Sequence, residues 1–123
     1  VEEAERFYKE TEVDSLAISI GTAHGNYVGR PEINFSRLEE ISRSVAVPLV
    51  LHGGSSTGDE NLKRCALNGI VKINIFTDLI NASTKDLPSK EKNYFEVVTH
   101  LQTGIEQCLH HYYDIFNTQA INI

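Results

Sequence analysis

The sequence predicts an α/β protein built on parallel strands, and three observations carry that prediction. Short, near-continuous apolar runs recur at Ser15-Leu-Ala-Ile-Ser-Ile-Gly21, Val47-Pro-Leu-Val-Leu-His-Gly53 and Ile70-Val-Lys-Ile-Asn-Ile75. Runs of this length suit parallel strands covered on both faces. Each is followed by a loop of Gly, Ser, Thr, Asn or His and then by a segment with helical period. The 123 residues carry 41% apolar and 23% charged side chains, which is the composition of one globular unit at most.

Element by element, the chain opens with a charged helix from about Glu2 to Thr11 and enters its first strand at Ser15. Ser36-Arg-Leu-Glu39 has the spacing of a capping box, and Leu38, Ile41 and Val45 then recur on one helical face. Pro48 stands at the entrance of the second strand, where a missing N–H matters least. Asp59 is placed to cap the next helix, with Leu62, Cys65 and Ala66 on its inner stripe and Gly69 as its left-handed stop. The order is αβαβαβα. Past Asp78 a short helix reaches Lys85, and a polar stretch, Asp86 to Asn93, leads to a long final helix. Val98, Leu101, Ile105, Leu109, Tyr112 and Phe116 step along it by three or four. We therefore divide the chain into a β/α segment, 1–85, and a linker with an amphipathic helix, 86–123. That helix needs a partner surface, on the same domain or on another subunit, so a homodimer or larger assembly is expected.

Three parallel strands cannot close a barrel and leave two apolar edges unpaired. The remaining strands are expected from polypeptide outside these residues or from another copy. The absence of Met points the same way.

The charge excludes several function classes. Eleven Lys and Arg against 17 Asp and Glu give a net charge of −6 with no basic cluster, so neither nucleic acid nor a membrane surface is an expected partner. No apolar run approaches the roughly 20 residues of a spanning helix, and the charged N-terminal residues do not resemble a secretory signal. Cys65 and Cys108 are too few and too far apart for a disulfide framework or a thiolate metal knuckle, and are expected as buried reduced thiols. The reading is a cytoplasmic protein.

Ligands of parallel α/β folds bind at the carboxyl ends of the strands, so the residues just past each run carry the functional argument. His24 and His52 follow successive strands and each precedes a Gly, which lets the backbone approach a ligand. Neutral imidazoles are good Zn²⁺ ligands, but a catalytic zinc usually takes three protein ligands and these are two. Hydrogen-bonded loop histidines are the alternative. Gly53-Gly54-Ser55-Ser56, opening towards a helix, and Asn74-Ile-Phe-Thr77 have the composition to present N–H groups and hydroxyls to a phosphate dianion, or to be plain connections. Lys72, on the same side of its strand as Asn74, is either a Schiff-base lysine or the partner of a carboxylate on a neighbouring strand, and the ion pair is the expected reading. His100, His110 and His111, on the last helix, have no matching carboxylate motif and are read as surface or interface residues.

Three stretches, Ile20-Gly-Thr-Ala-His-Gly-Asn-Tyr27, Pro48-Leu-Val-Leu-His-Gly-Gly-Ser55 and Gly69-Ile-Val-Lys-Ile-Asn-Ile-Phe-Thr77, resemble the class II, metal-dependent ketose-bisphosphate aldolases. The fructose- and tagatose-bisphosphate enzymes of bacteria are the nearest look-alikes. The resemblance runs from about Glu2 to Thr84. It implies the C-terminal half of a TIM (β/α)8 barrel, about strands six to eight, followed by the long helix. It implies that His24 and His52 bind Zn²⁺. It also implies that Gly25, Gly53, Gly54 and Ser55, with Asn74, Ile75, Phe76 and Thr77, hold the dihydroxyacetone phosphate moiety, near which a monovalent cation (Na⁺ or K⁺) often sits in this family. The remaining zinc histidine and the proton-transferring aspartate come, in the family, from the N-terminal half of the barrel.

Two positions depart from the family pattern. Ser56 stands where Gly is usual, which restricts the turn if φ must be positive there. Phe76 stands where look-alikes carry Ala or Asp. The implied function is a lyase: reversible, zinc-dependent cleavage of a ketose 1,6-bisphosphate to dihydroxyacetone phosphate and glyceraldehyde 3-phosphate. This segment alone is expected to be inactive without the rest of the barrel. The alternative is a fragment or degenerate copy that binds sugar phosphate or metal without catalysis.

Overall fold

All three expected strands form, and they pair in parallel. The computed structural model describes residues 1–25, 27, 29, 31–87 and 93–120. Its elements are α1 (Glu2–Thr11), β1 (Leu16–Ala17), α2 (Phe35–Ser44), β2 (Leu49–Leu51), α3 (Asp59–Leu67), β3 (Ile70–Ile73), α4 (Thr77–Thr84) and α5 (Tyr94–Ile115). The centre of the polar linker, 88–92, lies outside the described residues. Contacts gather the chain into two compact units, Val1–Ile75 and Phe76–Ile123.

In the first unit the sheet order is β1-β2-β3. Leu16 pairs with Leu49 and Ala17 with Val50. On the other side Leu49 pairs with Ile70, but Val50 pairs with Lys72, so Val71 is skipped by a bulge. The strands are shorter than their apolar runs, although the ladder continues one bond further: Ile18 N–H donates to Val50 O at 3.3 Å and Asn74 N–H to Leu51 O at 2.9 Å. Beyond those bonds each chain turns into a loop at the carboxyl end of the sheet. Leu49, Val50 and Leu51 are all buried, as expected of a central parallel strand.

The core joins these strands to Leu38, Ile41 and Val45 near α2 and to Leu62 and Cys65 on α3, all buried as the periodicity indicated. Ala66 is only half-buried. Truncating a fully buried leucine such as Leu51 to Ala would cost roughly 2–5 kcal/mol, because transfer and cavity terms add. Burial also pushes the Cys65 thiol up from its ordinary value near 9 to about 11. Both cysteines are free, but Cys108 is only half-buried, in contrast to the expectation of two buried thiols.

Two helix starts differ from the sequence reading. The cap of α2 is Asn34, whose side chain accepts from Arg37 N–H at 2.9 Å, and not Ser36. The reason is tertiary. Asn34 N–H donates to Ile20 O at 2.8 Å, which anchors the cap to the end of β1, and Phe35 enters the first turn with the Arg64 guanidinium 3.8 Å from its ring centroid. The cap of α3 is Gly58, so Asp59 is the first helical residue and, with Glu60, places negative charge in the first turn. Gly69 follows the C-cap Asn68 with φ +109, the positive φ expected there.

In the second unit α4 lies against α5. A Cβ on Gly104 would meet the Ser83 Cα at 2.7 Å, so the two backbones are close at that point. Asn93 caps α5 by accepting from Glu96 N–H at 3.1 Å. Tyr112 is buried, donates its hydroxyl to Asp78, and stacks on Phe116 at 6.0 Å between ring centroids. Val98, Leu101 and Ile105 are half-buried, whereas Leu109 is exposed. The inner face passes instead through Cys108, whose thiol is raised by burial and then by the Asp78 carboxylate. Among the described residues no helix is long and apolar enough to cross a membrane.

Candidate functional site

At the carboxyl end of the sheet, the loop after β1 carries His24 and the loop after β2 carries His52. The two imidazoles meet edge to face, with ring centroids 5.8 Å apart and planes at 81°. Both side chains belong to exposed residues. A tetrahedral zinc bound by two imidazole nitrogens at about 2.0–2.1 Å would set the ring centres roughly 5 Å apart, so this pair stands near the spacing of a shared ion. Among the described residues, no group of three or more His, Cys, Asp or Glu gathers to complete a ligand set.

The two loops are clasped to each other by backbone and hydroxyl contacts. Thr22 Oγ1 donates to the His52 carbonyl at 2.7 Å. Gly53 has φ +68 and lies so close to the first loop that a Cβ would overlap the Ala23 carbonyl, with the carbonyl carbon at 2.7 Å. Tyr27 Oη accepts from Ala23 N–H at 2.8 Å and lies 3.1 Å from both the Ala23 and Gly53 carbonyl oxygens. Thr57, itself buried, donates from Oγ1 to Gly53 O at 3.0 Å. None of Thr22, Tyr27 and Thr57 was assigned a role from sequence. Their only signal there is a hydroxyl beside a Gly- or His-bearing turn, which is too common to be selective.

The third strand end contributes Asn74. Its Nδ2 stands 3.3 Å from both ring nitrogens of His52, and its Oδ1 accepts from the Lys72 ammonium at 2.5 Å. Because a lysine ammonium only donates, Lys72 fixes which end of the Asn74 amide faces His52. The expected ion pair is therefore replaced: among the described residues Lys72 meets the Asn74 amide and no carboxylate. On the neighbouring strand the residue opposite Lys72 is Val50, which offers no carboxylate, whereas Asn74 lies next on the same side.

Of the residues expected to hold phosphate, Gly53, Gly54, Ser55, Asn74 and Ile75 gather in the first unit. Gly54 N–H donates to Asn74 O at 3.0 Å, so that amide is already engaged. A Cβ on Gly54 would meet Asn74 O at 2.9 Å and Ile75 Cγ1 at 3.2 Å, which shows how tightly this turn lies on the end of β3. Ser55 is buried. Ser56 adopts φ +60, a left-handed conformation in a residue with a Cβ. Gly25 has φ +86 with open space around it. Phe76 and Thr77 belong to the second unit, where Phe76 is 71% exposed and accepts from Ile80 N–H, and Thr77 opens α4. The histidines of the last helix belong to the second unit, where His100 Nε2 lies 2.8 Å from Lys85 O and His110 lies 3.9 Å from Glu106.

Residues 1–120 match the family profile described as fructose-bisphosphate aldolase class-II. The chain belongs to this family. The chain is 50% identical over 86 residues to a sulfofructosephosphate aldolase of Alkalicoccus urumqiensis, a match that covers 70% of this chain and 30% of that protein. Its fold is similar to the crystal structure of the YdjI aldolase from Escherichia coli K12, with a TM-score of 0.81 and 29% identity, over 94% of this chain and 43% of the other. The parallel strands and alternating helices of this class II aldolase chain are thus part of a TIM-barrel fold. The chain spans less than half the length of either relative.

Proposed function

We propose that this chain forms the part of a class II aldolase that supplies two zinc ligands and much of the phosphate-binding rim, in reversible aldol cleavage of a ketose 1,6-bisphosphate of the fructose or tagatose type. The observation that carries the reading is the edge-to-face meeting of His24 and His52 at 5.8 Å on neighbouring strand ends. The donor set suits the metal: two imidazoles, exposed to a ligand on one side and backed by a rigid loop clasp. His24 and His52 would hold Zn²⁺, which when bound supplies Lewis-acid stabilisation of the negative charge that develops as the C3–C4 bond breaks, an effect of several kcal/mol.

The chain's own residues do the positioning. Asn74, its amide oriented by Lys72, offers an N–H to a substrate hydroxyl. The turn Gly53-Gly54-Ser55, with Gly25 and the segment Asn74-Ile75-Phe76-Thr77, binds the phosphate of dihydroxyacetone phosphate remote from the reacting bond, and so holds the substrate in register. A Na⁺ or K⁺ ion at carbonyls of this rim belongs to the same proposal. The third zinc histidine and the aspartate that moves the proton come from the first half of the barrel, following the family resemblance. Homodimers or larger assemblies through α5, where Tyr94 and Phe95 are strongly exposed, and a cytoplasmic setting complete the reading.

The test, on this chain together with the N-terminal half of its barrel, is the release of dihydroxyacetone phosphate, followed with a coupled dehydrogenase, from fructose 1,6-bisphosphate and tagatose 1,6-bisphosphate, with the phosphorylated sulfo-ketose as a third substrate. Activity abolished by a chelator and restored by Zn²⁺, with loss in His24→Ala and His52→Ala, is the expected result. The alternative is a non-catalytic binder of metal or sugar phosphate. Zinc binding without turnover of any of the three ketoses would establish it.

A further inference from the structure

We infer that Tyr27 is the positioning residue of the two-imidazole site, acting through the backbone on either side of the two histidines. The inference rests on the reading of His24 and His52 as metal ligands, and it starts from what the two rings lack. Metal-binding histidines ordinarily donate their second ring N–H to an acceptor that orients them. The side-chain neighbour of His52, Asn74 Nδ2 at 3.3 Å, is itself a donor and cannot accept that proton. Among the described residues His24 has no hydrogen-bond partner for its ring, only the edge contact with His52. The direction of each ring is therefore set by where its backbone is held.

The hydroxyl of Tyr27 holds it. Oη accepts from the N–H of Ala23, the residue before His24, at 2.8 Å, and it lies 3.1 Å from the carbonyl oxygen of the same residue. It also lies 3.1 Å from the carbonyl oxygen of Gly53, the residue after His52, and 3.5 Å from Thr57 Oγ1. A phenol has one proton and accepts through its lone pairs. It can therefore take the Ala23 N–H while sharing its own proton between the Ala23 and Gly53 carbonyls. One half-buried oxygen thus ties together the two loops at the positions flanking the two rings. Phenylalanine would fill the same space without the tie. Thr22 also joins the loops, through the His52 carbonyl, and Thr57 bonds the Gly53 carbonyl, but neither bonds the backbone on both sides as Tyr27 does.

The test compares the wild-type protein with Tyr27→Phe by titration with Zn²⁺ against a chromophoric chelator. It also uses the visible spectrum of the Co²⁺-loaded protein and the proton NMR contact between the two imidazoles in the metal-free protein. Tyr27→Phe is expected to weaken Zn²⁺ ten- to a hundredfold, to alter the Co²⁺ spectrum, and to lose the ring-to-ring contact while the far-ultraviolet circular dichroism is kept. Zinc affinity and ring contact equal to wild type would overturn the inference. If wild type itself binds no Zn²⁺, the metal reading fails, and the ring contact in the metal-free protein still decides the role of Tyr27. Should Tyr27→Phe not fold, Thr57→Val is read in its place. It removes the hydroxyl that shares the Gly53 carbonyl, and a three- to fivefold loss of Zn²⁺ affinity is expected. An unchanged affinity there counts against the clasp.

Discussion

Gly53→Ala is the substitution most directly determined by the geometry. At Gly53 two penalties coincide. The residue has φ +68, a region that costs a residue with a Cβ about 1–2 kcal/mol. The added methyl would also overlap the Ala23 carbonyl, with the carbonyl carbon at 2.7 Å where ordinary contact begins at 3.4 Å, so the His24 loop must retreat by some tenths of an ångström or more. Overpacking of this kind against backbone costs about 1–3 kcal/mol, partly offset by about 0.4–1 kcal/mol from the stiffer unfolded chain. The sum is a destabilisation of roughly 2–4 kcal/mol, or a fall of roughly 8–15 °C in unfolding midpoint for a chain of this size. Gly25→Ala is the control, because Gly25 has φ +86 but nothing within 4 Å of the added methyl, so only the conformational penalty applies. Thermal unfolding followed by circular dichroism on both variants, metal-free, isolates the contact as the difference between them. Equal midpoints for Gly53→Ala and Gly25→Ala would refute the close approach of the two loops, and with it the account of how the imidazoles are held together.

Other expectations follow from the same coordinates. Ser56→Gly relieves a left-handed φ of +60 and should raise stability by about 0.5–1 kcal/mol in a urea titration; a loss would mean that the Ser56 side chain contributes more than its strained backbone takes away. Lys72→Met frees the Asn74 amide to turn over; under the proposed function, in this chain together with the N-terminal half of its barrel, it should raise KM for the ketose bisphosphate more than it lowers kcat, by about three- to tenfold, whereas Lys72→Arg, still a donor, should recover most of the loss. The buried Cys65 thiol holds its proton to about pH 11 in the native state, but titrates near 9 when unfolded. Above pH 9 the unfolded chain then binds fewer protons than the native one, so stability should decline as pH rises from about 9 to 11 and the decline should flatten in Cys65→Ala. Gly104→Ala should weaken the packing of α4 on α5, read as faster amide exchange in both helices, because its methyl would meet the Ser83 Cα at 2.7 Å.

Much of the fold was legible because it rests on local chemistry. The apolar runs gave three parallel strands, the helix at Glu2–Thr11 fell at its expected bounds, and Leu38, Ile41 and Val45 were buried as their spacing indicated. Helix starts were read less well. Asn34 and Ser36 are both good caps, and the choice between them depends on the bond from Asn34 N–H to Ile20 O and on Arg64 meeting the Phe35 ring, neither of which a local pattern contains. Leu109 fitted the helical stripe by spacing yet is exposed, because the inner face of α5 is defined by what α4 presents to it.

The site divides in the same manner. Adjacent strand ends, each bearing a His followed by Gly, were enough to place His24 and His52 on one rim, since parallel strands deliver their carboxyl ends to the same side whatever the helices between them do. What separates a pair of rim histidines from a metal-binding pair is distance and direction, and those follow from contacts remote in sequence: Thr22 on the His52 carbonyl, Tyr27 across Ala23 and Gly53, and Lys72 through Asn74. The order of residues determined the alternation of strand and helix and the side on which the chemistry gathers, because those depend on period and chirality. Only the packed structure decided that the two rings stand 5.8 Å apart and which hydroxyls keep them there, because hydrogen bonds between loops are chosen by position in space and leave no period in the chain.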